Sequence, residues 1–155
     1  MKRLILLVTH LGALAIGFAL GVYALPILIA PRAPTEVEIA AQAGSVQHKG
    51  TFRRDLKDSD ALHWGEGTIS VGSRSIALVG ELAPGPDYKL YLSPQFVETE
   101  ADFERLKPSM ARVGDVNTFR NFLVPVPESI DVERYNTVVI WCESFSQFIT
   151  AGKYK

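Results

Sequence analysis

Hydrophobic residues fill the first thirty positions almost without interruption, whereas polar and charged residues are spread through the rest of the chain. No Asp, Glu, Lys or Arg occurs between Arg3 and Arg32. About 20 apolar residues are enough to cross the hydrocarbon core of a bilayer, and this run is longer. We therefore predict a single transmembrane helix in residues 1–30, which contacts the lipid bilayer through residues 4–30.

A cleaved secretory signal peptide is the alternative to a permanent anchor. The apolar part of such a peptide is usually about 7–15 residues long, and the run here exceeds that length. A small-x-small cleavage pattern, Ala41-Gln42-Ala43, lies far beyond the run. We therefore favour an uncleaved signal anchor, and cleavage stays open as the alternative.

The charges beside the helix predict its orientation. Lys2 and Arg3 precede the apolar run and favour a cytoplasmic N-terminus, whereas Arg32 opposes them as one positive charge on the other side. We therefore expect a single-pass protein of the inner (cytoplasmic) membrane. Its folded part would be periplasmic or extracellular.

Two prolines separate the apolar run from the rest of the chain. Pro31 and Pro34 cannot continue a helix and stiffen the segment around them. We predict a linker at residues 31–44, which holds the folded part away from the membrane. Residues 45–155 are then one domain, long enough to bury a core of its own.

Short alternating or apolar runs, separated by turn residues, follow one another through this domain. The turn residues include Gly72-Ser73 and the strong break Pro84-Gly85-Pro86-Asp87. Thr99 is a candidate N-cap of a short helix that Pro108 ends, and residues 129–135 suggest one more helical turn. Strands are predicted at 67–71, 75–79, 88–92, 119–124 and 137–141, with a last strand containing Phe145, Ile149 and Tyr154.

Close spacing of short strands is typical of a sandwich or barrel rather than of a parallel α/β sheet. We predict a mainly β fold, a small antiparallel β-sandwich or barrel-like domain with one or two short helices. The net charge of -1 gives no footprint for nucleic-acid binding. Gly65-Glu66-Gly67 lacks the third glycine of a dinucleotide fingerprint, and we interpret it as a turn between strands. P-loop, G-x-S-x-G and C-x-x-C motifs are also missing from the sequence.

Cys142 is the single cysteine, so the fold cannot depend on an internal disulfide. It ends the most apolar run of the domain, and free cysteines in such places are commonly buried and inert. The neighbouring Glu143 would disfavour a thiolate. The more specific interpretation is that Cys142 is a redox thiol. A metal or haem carrier built from His48, His63 and Cys142 is a third possibility, although their spacing matches no known pattern.

Several blocks of the domain resemble a known family. They are Gly50-Thr51-Phe52, Gly65-Glu66-Gly67-Thr68-Ile69, the segment from Pro84 to Ser93, the segment from Phe119 to Pro125, and the segment from Thr137 to Phe145, in which a hydrophobic strand ends in cysteine. In this order they resemble the Skeletor-type DM-thirteen domain family, here in a bacterial, membrane-anchored, single-domain form.

The resemblance implies a β-rich extracytoplasmic domain whose characteristic cysteine maps onto Cys142. The family is proposed to act in electron transfer, often beside haem-binding domains. None is fused here, so the resemblance implies a separate envelope redox protein as partner, and it names no cofactor. Our leading hypothesis is a redox module in which Cys142 is the redox thiol, with Trp141 and Phe145 shaping a pocket around its sulfur.

A non-catalytic binding or structural domain of the cell envelope is the alternative function. Cys142 would then belong to the core. Recognition would fall to exposed loops, with residues 55–60 and 95–98 as the candidates.

Overall fold

A computed structural model of the protein describes residues 1–42 and 46–155. The predicted boundary between linker and domain, at residues 44 and 45, lies outside the described residues. The described residues form three α-helices and eight strands, which are in chain order α1 (Lys2–Ile29), α2 (Glu36–Gln42), β1 (Val46–Phe52), β2 (Gly65–Gly72), β3 (Ser75–Leu82), β4 (Tyr88–Ser93), α3 (Glu100–Leu106), β5 (Ala111–Val116), β6 (Arg120–Pro125), β7 (Thr137–Cys142) and β8 (Gln147–Lys153).

Helix α1 has the length and composition of a membrane-crossing helix. Its 28 residues carry a mean hydropathy of 2.2 over the most apolar stretch, which is not buried inside the protein. At about 1.5 Å per residue the helix is roughly 42 Å long, which exceeds the thickness of a hydrocarbon core. A signal sequence near an N-terminus has the same properties, so these features do not by themselves choose between the two.

The eight strands form two antiparallel sheets of four strands each. The first has the order β1-β2-β3-β6, and the second has the order β5-β4-β7-β8. Strand β4 pairs with both β5 and β7, so the second sheet is built around the two most apolar strands. The predicted antiparallel β-sandwich is confirmed.

A continuous apolar core lies between the sheets, and a smaller one lies on the outer face of the second sheet. Because successive side chains of a strand point to opposite faces, β7 contributes to both. The outer cluster is covered by α3, where Thr99 accepts a hydrogen bond from the Asp102 N–H (3.1 Å), as its prediction as an N-cap requires. Members of the inner core include Phe52, Ile69, Leu78, Tyr88, Leu90, Phe122, Val138, Ile140, Cys142 and Ile149.

Two strands were not predicted, and one predicted turn is wrong. The β5 sequence includes Gly114 and Asp115, which have low strand propensity, and β1 alternates exposed polar residues at a sheet edge. Gly65-Glu66-Gly67 is not a turn, because it begins β2 and pairs with the end of β3. Gly67 instead allows a close approach of β2 and β3, because a Cβ there would lie 2.4 Å from the Val79 carbonyl oxygen. Glycines are typical both of turns and of such close strand contacts.

The linker lies along the domain instead of standing free of it. Helix α2 begins with a capping box, in which Thr35 and Glu38 bond each other's backbone N–H groups. Ile39 of this helix is buried. The Asn121 side chain donates a hydrogen bond to the Pro34 carbonyl (3.1 Å), which ties the linker to β6.

Candidate functional site

Cys142 is the last residue of β7, and its side chain belongs to the core between the sheets. It pairs with Tyr88 of β4 and with Gln147 of β8. Only 2% of the residue is exposed. Sequence reasoning placed it at the end of a buried strand, and the structure agrees.

A pocket of about 510 Å³ has Cys142 in its wall. Four separate segments enclose it: α1, the loop between β1 and β2, the proline-rich loop before β4, and the β7–β8 hairpin. Most of its lining is apolar, and His63, Tyr23 and Gln147 add polar groups. The full lining is Phe18, Ala19, Val22, Tyr23, Leu62, His63, Pro84, Gly85, Pro86, Tyr88, Cys142, Phe145, Gln147 and Ile149.

Two opposing influences act on the Cys142 sulfur. Burial raises the pKa of the thiol, because a thiolate loses its hydration there. The backbone N–H groups of Phe145, Asp87 and Ser144 act in the opposite direction, because they favour the thiolate and lower the pKa. Burial prevails, so the pKa of Cys142 lies above its ordinary value and the resting group is a neutral thiol.

Hydrogen bonds join the two loops that carry these amides. Ser144 donates through Oγ to Asp87 Oδ2 (2.9 Å), and the Glu143 N–H donates to the Asp87 carbonyl (3.1 Å). Lys89 pairs with Asp87 (2.6 Å) and holds the pKa of that carboxyl below its usual range. These contacts fasten the two loops to each other beside Cys142.

Phe145 and Trp141, the two residues predicted to shape the pocket, do not lie together in the structure. Phe145 lines the pocket with Cys142 and is 51% exposed. Trp141 belongs to the outer cluster, where its ring stacks on Phe103 (centroids 3.9 Å apart, planes at 11°). The structure therefore brings Cys142 together with Phe145 and leaves Trp141 outside the lining.

The Glu143 carboxylate faces away from the thiol. It pairs with Lys107 (2.8 Å) and accepts a hydrogen bond from the Tyr91 hydroxyl. Burial alone would raise the pKa of Glu143, but these two groups together outweigh it and hold the pKa below its ordinary value. The sequence predicts that the charge of Glu143 disfavours the Cys142 thiolate. In the structure, the negative charge that raises the pKa of Cys142 is that of Asp87 instead.

The two domain histidines form separate carboxylate pairs. His48 Nε2 lies 2.5 Å from Glu133, and His63 Nδ1 lies 3.0 Å from Asp60. His63 lines the pocket, whereas His48 does not. Within residues 1–42 and 46–155, no three His, Cys, Asp or Glu side chains are grouped closely enough to hold a metal ion.

Sequence reasoning missed most of the pocket. Tyr88 is almost fully buried beside Cys142, and burial raises the pKa of its hydroxyl. Gly85 packs against the Tyr88 ring, and a Cβ at this position would lie 2.4 Å from that ring. The proline-glycine-proline break was the one sequence feature that could have indicated the pocket. A rigid loop that precedes a buried strand can form one wall of a pocket.

Alkylation of Cys142 in the folded full-length protein is expected to be slow at neutral pH, with a midpoint above the ordinary thiol value of about 8.5. Because burial raises the pKa in the folded state, the neutral thiol's contribution to stability is complete below the ordinary value. That contribution is lost as the pH rises through the folded-state value. Iodoacetamide labelling rates against pH, followed by mass spectrometry, measure this midpoint.

Urea-denatured protein is the control for this titration and should label with the ordinary midpoint. A folded-state midpoint below that of the denatured chain would mean that the three amides outweigh burial.

Comparison with known families supplies the classification of this domain. Residues 52–154 match the family described as "Electron transfer DM13". The match runs from the last residue of β1 to the residue after β8, so it includes Cys142 and the loops around its sulfur. Comparisons with curated proteins and with solved structures gave no match. The chain belongs to the DM13 electron-transfer family.

Proposed function

We propose that this protein is a membrane-anchored redox module, in which an extracytoplasmic DM13 domain exchanges electrons through Cys142. Family membership supports a redox role. One observation carries the assignment to this residue: the otherwise buried Cys142 lies in the wall of a pocket, between the proline-rich loop before β4 and the β7–β8 hairpin. Backbone amides of Asp87, Ser144 and Phe145 favour the thiolate and lower the pKa of Cys142 against the effect of burial.

The anchor in this proposal is α1, with its N-terminus in the cytoplasm. Lys2 and Arg3 precede the helix, and the domain follows it on the opposite side of the inner membrane. Residues 1–30 form the anchor, 31–44 the linker and 45–155 the redox domain. The domain is then periplasmic or extracellular, where a separate envelope protein is its redox partner.

One thiol supports a two-step oxidation. Hydrogen peroxide transfers one oxygen atom to the Cys142 thiol, which becomes a sulfenic acid, and the second oxygen leaves as water. A thiol of the partner protein then condenses with the sulfenic acid, forms a mixed disulfide and releases water. A thiolate is the reactive form, so the neutral resting thiol must lose its proton before it attacks the peroxide.

Trapping of the sulfenic acid tests this assignment. Full-length protein is exposed to hydrogen peroxide and then to dimedone, and the adduct is located by mass spectrometry. We expect an adduct on Cys142, and reduction with dithiothreitol between the peroxide step and the dimedone step should prevent it. The matched control is the double variant Cys142→Ser, Ala77→Cys, which places a buried cysteine on β3, away from the pocket lining.

The control cysteine should stay unmodified under the conditions that convert Cys142. Equal labelling of both, or labelling of neither, would remove the support for a specialised sulfur. Cys142→Ser should retain the folded domain, and loss of folding with this conservative change would assign Cys142 to packing.

A non-catalytic envelope domain is the second candidate, and the near-complete burial of Cys142 favours it. The loops proposed for recognition lie together, since the Asp58 N–H donates to the Glu98 carbonyl (3.2 Å) and Lys57 pairs with Glu98 (3.2 Å). In this case the dimedone experiment fails, and Cys142→Ser leaves the function of the protein unchanged.

A further inference from the structure

Exposed apolar side chains frame the mouth of the Cys142 pocket. Leu62 and Phe145 come from different loops of the domain and are 58% and 51% exposed, and both line the pocket. On the remaining side the lining continues onto α1, through Phe18 and Val22. The apolar rim of the domain is therefore continuous with the apolar surface of the helix.

The position of these helix residues places the pocket at the edge of the bilayer. If the hydrocarbon core begins at Leu4, the roughly 20 residues needed to cross it end near Tyr23. Tyrosine is also a preferred residue at membrane interfaces. Phe18 is about 8 Å from Tyr23 along the helix axis, at about 1.5 Å per residue. A rim that reaches this depth enters the outer leaflet as far as an interfacial helix does.

The interior of the pocket suits a ring with an apolar tail. Its volume of about 510 Å³ lies in the range of small-molecule sites, which combine an apolar lining with a few polar groups. Tyr88 and Ile149 form the buried end, while His63 and Gln147 supply polar groups within the same lining. An acyl chain would need no polar groups, whereas the carbonyls of a quinone ring need hydrogen-bond partners.

We propose that the pocket binds an isoprenoid quinone that enters from the outer leaflet of the bilayer. The ring lies against Cys142 and Tyr88, its carbonyls face His63 and Gln147, and the tail leaves between α1 and Phe145. This inference rests on the proposed redox function, because it supplies a membrane-dissolved electron carrier for an anchored domain. It concerns binding and adds no step to the sulfur chemistry.

Photolabelling of the full-length protein tests the site. The protein is reconstituted into phosphatidylcholine vesicles that contain an azido-quinone with an isoprenoid tail, and labelled peptides are identified after illumination. We expect labels in residues 84–88 and 142–149, and their loss when unlabelled ubiquinone is present in excess. Label restricted to α1, or label that ubiquinone does not displace, would overturn the proposal and indicate ordinary lipid contact.

A pair of helix variants sharpens the result. Ala19 lines the pocket from α1, so Ala19→Trp fills the space without altering the domain core. Ala13→Trp makes the same change on α1 outside the pocket lining. Labelling of the domain peptides should be lost in Ala19→Trp and retained in Ala13→Trp, and equal labelling of the two would overturn the proposal.

The outcome is separable from that of the proposed function. If labelling is absent while Cys142 still forms the dimedone adduct, the quinone site is wrong and the redox thiol stands. If labelling is specific while Cys142 stays inert, the pocket is a quinone site and the redox role of the cysteine is wrong.

Discussion

Replacing Trp141 by alanine is expected to lower the free energy of unfolding by about 3–5 kcal/mol, the range for deleting a buried large aromatic side chain. The indole is 2% exposed and stacks on Phe103 at 3.9 Å between centroids. It also packs with Phe148 and Val139 in the outer cluster. Alanine would leave a cavity under α3 that this short helix cannot fill. Urea denaturation of the full-length protein, followed by circular dichroism, measures the loss.

Trp141→Phe is the conservative partner of this variant and should cost less than about 1.5 kcal/mol. Phenylalanine keeps the stack on Phe103, and it removes an indole N–H that has no hydrogen-bond partner among the described residues. Phe145→Ala is the matched control from the pocket, because Phe145 is half exposed. It should change the alkylation rate of Cys142 and leave stability nearly unchanged. The opposite pattern would place Trp141 at the pocket and Phe145 in the core.

For Trp141, the sequence predicts burial within a strand but not the face of the sheet on which the side chain lies. The run Thr137 to Trp141 was correctly predicted as a buried strand, and all six residues of the observed strand, Thr137–Cys142, are buried. A strand buried on both faces shows no polar-apolar alternation, so the pattern did not indicate which core each side chain enters. Strand geometry alone separates neighbours such as Trp141 and Cys142 onto opposite faces. Grouping both with one pocket overlooked this rule.

The pocket itself was beyond prediction from local patterns. Its four walls come from segments that are far apart in the chain, and their meeting depends on sheet order and on the path of the linker. Gly85 and Tyr88 follow a recognised break, yet only the fold places them beside Cys142. The sequence also predicts correctly that the pKa of the Cys142 thiol is raised, but it names the wrong cause. Burial and Asp87 raise this pKa, and Glu143 does not.

Gly67→Ala is expected to lower the free energy of unfolding by about 2–5 kcal/mol, from backbone strain and steric overlap together. Gly67 has a φ of +125°, which side chains rarely tolerate. It also pairs directly with Gly80 of β3, and a Cβ at position 67 would lie 2.4 Å from the Val79 carbonyl oxygen. A backbone atom cannot move aside as a flexible side chain can, so the two strands would have to separate.

Separation of β2 and β3 at Gly67 would also weaken the attachment of the linker to the domain. The Gly80 N–H donates to the Asn121 side chain (3.0 Å), which in turn holds the Pro34 carbonyl. Thr68→Ala is the matched control, because Thr68 is the exposed neighbour of Gly67 on β2 and should cost well under 1 kcal/mol. Urea denaturation of both variants, with proteolysis of the linker as a second measurement, should show an unstable domain and a released linker for Gly67→Ala alone. Equal stability of the two variants would mean that β2 and β3 do not require the glycine contact, and the predicted strain would be wrong.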